Sequence, residues 1–137
     1  MVLDTNVIVA ALRSSLGASH AVLLRIADGV YRASVSVPLV LEYEKAVMDT
    51  STGIPLSSAD KQAALDFICA HSEHQEIHYL WRPQLRDPGD EMVLEAAVAA
   101  GCRYIVTHNV SDFEGSERFG VRTVTPGEFL RRLGDTR

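Results

Sequence analysis

The chain has 137 residues and a mass of 15.0 kDa, which suits a single domain spanning residues 1–137. Its 47% hydrophobic and 23% charged residues exclude a disordered or fibrous protein. A net charge of −5 excludes a broad basic surface for nucleic acid. It still permits a nuclease, because acids that converge on cations are neutralised by them and Arg residues meet the substrate locally.

The N-terminal segment is apolar but does not fit a signal peptide. It has no basic region, and Asp4 and Asn6 interrupt the apolar run. No stretch approaches the ~20 apolar residues of a membrane span, so we predict a cytoplasmic protein without membrane association. Cys69 and Cys102 lack metal-ligand spacing and are expected to be free thiols. Only three residues precede Asp4, which leaves open a translation start upstream of Met1.

Strands and helices are predicted to alternate through the first half of the chain. An apolar strand at residues 2–3 is followed by a helix from Val7, and a second helix is expected to end before Gly29. The next predictions are a β-branched strand at 31–37, a helix from Pro38 to about Thr50 and a loop over 51–58.

The second half continues the alternation. One predicted helix begins at a capping box of Ser57 and Asp60 and runs to about residue 72. A second begins at Asp87-Pro88 and ends before Gly101, and a third runs from Thr125 to Leu133. Predicted strands lie at 77–81, 104–107 and 121–124. This order predicts an α/β fold with a parallel sheet of about five strands and helices on both faces.

Two acids directly follow predicted strands. Asp4 ends the first strand, and Asp112 lies in the loop after the strand at 104–107. Ligands of parallel α/β sheets bind beyond the carboxyl ends of the strands, so both acids are candidate site residues. Helix capping by Asp4 and turn formation by Asp112 are the structural alternatives.

Other acids lie on predicted helices. Asp87, Asp90 and Glu91 crowd one first turn, where capping and the helix dipole also favour acids. Either Asp90 or Asp87 is expected to reach the same sheet edge. Glu42 lies one turn inside a helix and carries little weight by its position alone. Carboxylates brought so close repel one another unless cations bind between them.

Such a cluster suits metal-assisted hydrolysis. Cleavage of a phosphodiester needs an activated water and neutralisation of charge on oxygen, and Mg²⁺ or Mn²⁺ supplies both. Hard divalent cations take oxygen ligands. A protein nucleophile is not needed, and the sequence carries no Ser-His-Asp or Cys-His signature.

The ordered segments resemble the PIN-domain family of nucleases and, within it, VapC-type toxins of toxin–antitoxin systems. The matching segments are Val2-Leu3-Asp4-Thr5-Asn6-Val7, Val40-Leu41-Glu42-Tyr43, Arg86-Asp87-Pro88-Gly89-Asp90, Val106-Thr107-His108-Asn109 with Ser111-Asp112-Phe113, and 121–129. The segments span nearly the whole chain. Their order and spacing carry the resemblance, because a motif such as Asp-Thr-Asn is common.

The resemblance implies a Rossmann-like PIN fold, a three-layer sandwich, and endonucleolytic cleavage of RNA with Mg²⁺ or Mn²⁺. By position, the catalytic and metal-binding acids are Asp4, Glu42, Asp90 and Asp112, with Asp87 as an alternative third acid. Supporting polar residues that orient acids or water are Asn6, Thr107 and Asn109. The resemblance also implies an antitoxin partner and a homodimer, for which the helices before Gly29 and Thr50 offer apolar surface.

Two other functions are considered. A catalytically inactive PIN-like module that binds protein would be expected to have lost one of the acids, and the quartet is intact. A phospho-acceptor receiver domain would carry a Lys after a late strand, and the predicted late strands have none.

A group of histidines and a group of arginines are expected to have structural rather than functional roles. The histidines at 71, 74 and 78 are expected to form a polar helix terminus rather than a metal site. The basic tail of Arg131, Arg132 and Arg137 is expected to be solvated rather than to bind RNA.

Overall fold

A computed structural model of the chain describes residues 1–77, 85 and 87–134. The strands in this part of the chain are β1 (Val2–Leu3), β2 (Ala33–Ser36), β3 (Ser72–Gln75), β4 (Tyr104–Val106) and β5 (Arg122–Val124). The α-helices are α1 (Thr5–Arg13), α2 (Ala18–Ala27), α3 (Val37–Met48), α4 (Ser58–Ala70), α5 (Pro88–Ala100) and α6 (Pro126–Arg132). The predicted α/β class with parallel strands is confirmed.

The described strands form two parallel sheets rather than the single sheet of about five strands that was predicted. One sheet has the order β1-β4-β5, and the other pairs β2 with β3. A hydrogen bond from Ser34 N to Met1 O, 2.8 Å long, connects the two sheets. The amino group of Met1 also donates to Arg32 O at 2.8 Å, so two hydrogen bonds join the start of the two-residue strand β1 to β2 and the residue before it.

Strand β3 was not among the predicted strands. Helix α4 ends at Ala70, and the polar segment Ser72–Gln75 forms the strand, paired with β2. Ile77 lies outside any strand, and the rest of the strand predicted at 77–81 falls outside the described residues. An edge strand is held by backbone hydrogen bonds and is partly exposed, so it needs no apolar alternation.

Capping residues set the helix ends largely as predicted. Ser57 accepts a hydrogen bond from Asp60 N at 3.1 Å, and Thr125 accepts one from Glu128 N at 3.2 Å. Gly101 follows α5 with a positive φ of 65°, a conformation that favours glycine. His71 Nδ1 lies 2.9 Å from the Phe67 carbonyl at the end of α4, as expected for a polar helix terminus. His74 lies in β3 instead, and His78 lies outside the described residues.

The core centres on β1 and β4, whose residues are fully buried except for Tyr104. Helix α5 packs against β1, β2 and β4. Helix α6 places Phe129 against Tyr104 and Tyr31, with ring centroids 5.6 and 4.8 Å apart. This packing fixes the carboxyl ends of β1 and β4 side by side.

Cys69 and Cys102 are both free thiols, as predicted. Within the described ranges, no single helix has the length and apolar character needed to cross a membrane. Only α1 and α2 taken together meet that criterion, and they are bent by 98° relative to each other.

Candidate active site

A cleft of about 400 Å³ opens at the carboxyl ends of β1 and β4. Five carboxylates line it: Asp4, Glu42, Asp87, Asp90 and Asp112. Its other lining residues are Thr5, Asn6, Val9, Arg13, Gly89 and Asn109. The structure therefore brings the four acids of the predicted quartet to one place, together with Asp87, Asn6 and Asn109.

Asp4 is the most constrained of these acids. It follows β1 directly, and its backbone N donates to Val106 O at 2.8 Å, which extends the pairing with β4. Its carboxylate accepts hydrogen bonds from Thr5 N at 2.8 Å and from Thr107 Oγ1 at 2.7 Å. Only 6% of Asp4 is exposed, so its position is fixed before any ligand binds. Asp4 caps α1 and also lines the cleft.

The hydroxyl of Thr107 connects the residues around Asp4. It donates to Asp4 and accepts from Asn6 Nδ2 at 3.3 Å and from Asn109 N at 3.0 Å. One donor and two acceptor sites are all that a hydroxyl offers, and Thr107 is fully buried. This residue does not line the cleft, and it acts there by orienting Asp4.

The loop after β4 is held against α1 and α2. Asn6 Oδ1 accepts from His108 N at 3.2 Å, and His108 Nε2 lies 2.7 Å from the hydroxyl of Ser19. Asp112 follows in a short 3₁₀ turn, where Phe113 is buried in the core. Burial of Phe113 therefore places the neighbouring Asp112 at the cleft.

The three acids at the start of α5 make different contacts. Asp87 caps the helix through Gly89 N at 2.7 Å, and Glu91 accepts a hydrogen bond from Leu85 N. Asp87 and Asp90 line the cleft, whereas Glu91 is buried and does not. The carboxylate of Asp90 makes no hydrogen bond with the described residues, so it is the acid of this turn with free oxygens.

Glu42 lies on α3 and faces the start of α5. A Cβ atom at Gly89 would lie 3.9 Å from Glu42 Oε2. The neighbouring Tyr43 is buried, and its hydroxyl donates to Leu3 O at the end of β1. Tyr43 thus fixes α3 against the residue that precedes Asp4, which places Glu42 at the same cleft.

Burial and the crowding of carboxylates raise the pKa of two acids in the cleft. Burial raises the pKa of Asp4 above its ordinary value, despite opposition from its hydrogen bonds to Thr107 and Thr5. Burial, followed by the charges of Asp4, Asp87, Asp112 and Glu91, raises the pKa of Asp90 to about 7. Both shifts mean that full ionisation of the cleft costs free energy unless positive charge is supplied.

The donor chemistry of the cleft fits a hard divalent cation, because carboxylate and amide oxygens are the ligands that Mg²⁺ and Mn²⁺ prefer. Within the described part of the chain, no three His, Cys, Asp or Glu side chains are close enough to form a preformed metal group. Mg²⁺ is commonly bound through one or two carboxylates while it keeps several waters, so the donor set remains suitable.

Arg13 is a charged cleft residue that was not predicted from the sequence. It lines the cleft from the last turn of α1, on the same face as Asn6 and Val9. Their spacing of three and four residues was the signal available in the sequence. In the basic C-terminal tail, Arg132 lies 3.9 Å from Glu128 on its own helix, and Arg137 lies outside the described residues.

The fold and the cleft define a class: a parallel α/β protein with a carboxylate-lined site at the strand ends. The family model of the PIN domain matches residues 1–111, and the chain belongs to that family, whose members are generally nucleases. The match includes three of the quartet acids and ends one residue before Asp112. No curated protein shows a significant match to the chain.

Proposed function

We propose that the chain is a Mg²⁺- or Mn²⁺-dependent endoribonuclease that hydrolyses RNA phosphodiester bonds. The observation that carries the proposal is the convergence of Asp4, Glu42, Asp90 and Asp112 in one cleft. Membership of a family of nucleases supports the reaction class. The raised pKa of Asp4 and of Asp90 supports a site that works with bound cations.

Each acid would contribute differently. Asp4 would hold the cation rigidly, because Thr5 and Thr107 fix its carboxylate. Asp90 would bind with free oxygens, and Asp112 and Glu42 would close the site from the other elements. When bound, Mg²⁺ or Mn²⁺ would activate water and neutralise charge that develops on the phosphate oxygens.

The polar residues would order this acid cluster. Asn6 and Asn109 both donate to Thr107 Oγ1 and leave its hydroxyl proton directed at Asp4. Asn6 and Asn109 also line the cleft, where their side chains would orient water or substrate.

The test is cleavage of an RNA panel by the purified chain with Mg²⁺, with Mn²⁺ and with EDTA. We expect internal cleavage with either metal and none in EDTA. Cleavage that persists in EDTA contradicts the metal mechanism. Isothermal calorimetry provides a second measurement, and absence of divalent-cation binding would favour the inactive protein-binding module.

We also propose that the chain is the toxin of a toxin–antitoxin pair, with a protein antitoxin as its partner and the cytoplasm as its compartment. The support is the resemblance of its ordered motifs to VapC-type toxins. Induced expression in bacteria should then arrest growth, and co-expression of a protein encoded by an adjacent gene should restore it. Normal growth at a high level of soluble protein would contradict the toxin role.

The implied homodimer is proposed to use α3. Val37 and Leu41, one turn apart on this helix, are 69% and 58% exposed and form a pair of adjacent apolar side chains on its surface. Light scattering should give a dimer for the wild-type chain and a monomer for Leu41→Glu. A monomeric wild-type chain at micromolar concentration would contradict this assembly.

A further inference from the structure

Among the residues that the structure describes, the cleft combines five carboxylates with a single basic residue, Arg13. The side chain is exposed, and it makes neither an ion pair nor a hydrogen bond with the described residues. A guanidinium beside so many acids would pair with one of them if the role of Arg13 were to neutralise the cleft. Arg13 therefore has all its donors available for another anion.

The position of Arg13 relative to Asp4 indicates which anion it meets. Arg13 is nine residues beyond Asp4, a rise of ~13 Å along α1, and helical side chains lean back toward the N-terminus. Asn6 and Val9 line the cleft between the two residues. A group held by Arg13 thus lies along the same cleft as the acids but away from the reacting phosphate.

The size and charge of the cleft limit the form of the ligand. A cleft of about 400 Å³ accommodates a segment on the scale of a nucleotide rather than a duplex. With a net charge of −5, the chain lacks a broad basic surface for phosphate contacts. A phosphate contact at Arg13 should then make a measurable contribution to the salt dependence of binding.

We propose that Arg13 binds a backbone phosphate that flanks the scissile bond of a single-stranded RNA and so sets the position of the strand in the cleft. The inference rests on the proposed ribonuclease function. The planar guanidinium of Arg13 offers two parallel hydrogen bonds to a phosphate, a geometry that lysine does not provide. Arg13 is a substrate-binding residue in this scheme and takes no part in activating water.

The first experiment measures binding of a fluorescent, unstructured RNA oligonucleotide by anisotropy at several salt concentrations. An Asp4→Asn background prevents cleavage. Adding Arg13→Ala should weaken binding about tenfold and reduce the slope of log affinity against log salt by ~0.7, the value for one phosphate on a single strand. Arg13→Lys should restore the slope but only part of the affinity.

The second experiment measures kinetics in the chain that retains Asp4. Arg13→Ala should raise KM for the oligonucleotide and leave kcat within about twofold, since the contact is distant from the reacting phosphate. Shortening the RNA on the side of the cleavage site that carries the bound phosphate should remove the difference between the two proteins, and shortening it on the other side should leave the difference in place.

Arg103→Ala is the matched control. It removes the same charge from an exposed residue before β4, at the opposite end of the sheet. Equal salt slopes for Arg13→Ala and Arg103→Ala would overturn the inference, as would the absence of RNA binding. If the wild-type chain binds RNA but does not cleave it, the proposed function fails, while the salt slope still decides the role of Arg13.

Discussion

Replacing Asp4 with Asn is expected to lower RNA cleavage about a thousandfold at saturating Mg²⁺. Asp4 is the acid whose carboxylate is buried and fixed by two hydrogen bonds, so it defines the proposed cation position. Asn keeps the size of the side chain but removes its charge. A loss of ~4 kcal/mol of transition-state stabilisation corresponds to this rate change.

The Asp4→Asn variant should remain folded. Its amide oxygen can accept from Thr5 N, but the new amide group then meets a Thr107 hydroxyl that already accepts two hydrogen bonds. This conflict costs about 1 kcal/mol and is offset by the removal of a buried charge. Circular dichroism should therefore show a melting temperature within a few degrees of the wild type.

Asp28→Asn provides the control for the Asp4 substitution. Asp28 is exposed at the C-cap of α2 and does not line the cleft, so the same chemical change should leave cleavage unaltered. Comparable activities for Asp4→Asn and Asp28→Asn would exclude Asp4 from the reaction. Glu42→Gln is the informative second variant, because sequence position alone gave Glu42 the weakest support.

The parts of the fold that could be predicted from the sequence had chemical signals in their own residues. Ser57, Asp87 and Thr125 cap helices as expected, and Gly101 ends α5 in the conformation that glycine favours. Ligands of parallel α/β sheets bind beyond the carboxyl ends of the strands, and this rule indicated that Asp4 and Asp112 would lie at one edge of the sheet. Both residues line the cleft, because the rule depends only on parallel pairing. Local chemistry and topology were sufficient for these features.

Features that depend on distant packing were not predictable. The polar strand β3 is recruited by the backbone of β2, and no periodicity in its own residues indicates this. Glu91 differs from its neighbour Asp90 because its side chain accepts a hydrogen bond from Leu85 N and does not line the cleft. The spacing of Arg13 from Asn6 and Val9 places them on one helix face, but the packing of α1 along the cleft decides that this face lines it.

A second prediction concerns the stability of the metal-free protein. Replacing Asp90 with Asn should stabilise the metal-free protein at pH 8 and leave its stability unchanged near pH 4. The folded chain holds a proton on Asp90 up to a pKa of about 7, whereas the unfolded chain releases it near 3.8. Wild-type stability therefore falls as pH rises from about 4 to about 7, because the folded state binds more protons over this range.

The expected gain at pH 8 is about 1 kcal/mol, or roughly 3 °C in melting temperature, after allowance for solvent screening of a partly exposed side chain. Differential scanning calorimetry across pH, in EDTA, measures it. Saturating Mg²⁺ should then stabilise the wild type more than the variant, since binding to the folded state alone raises stability by mass action.

Asp60→Asn separates crowding in the cleft from ordinary helix electrostatics. Asp60 is the third residue of α4, as Asp90 is of α5, but it is exposed and does not line the cleft. Loss of an acid from a first turn removes a favourable interaction with the helix dipole, so Asp60→Asn should destabilise the chain by ~0.5 kcal/mol at pH 8. If Asp90 were only a second acid of this kind, its substitution would have the same sign. Opposite signs at equivalent helix positions would show that Asp90 is held against the cost of burial and the repulsion of neighbouring carboxylates, a condition that a bound cation relieves.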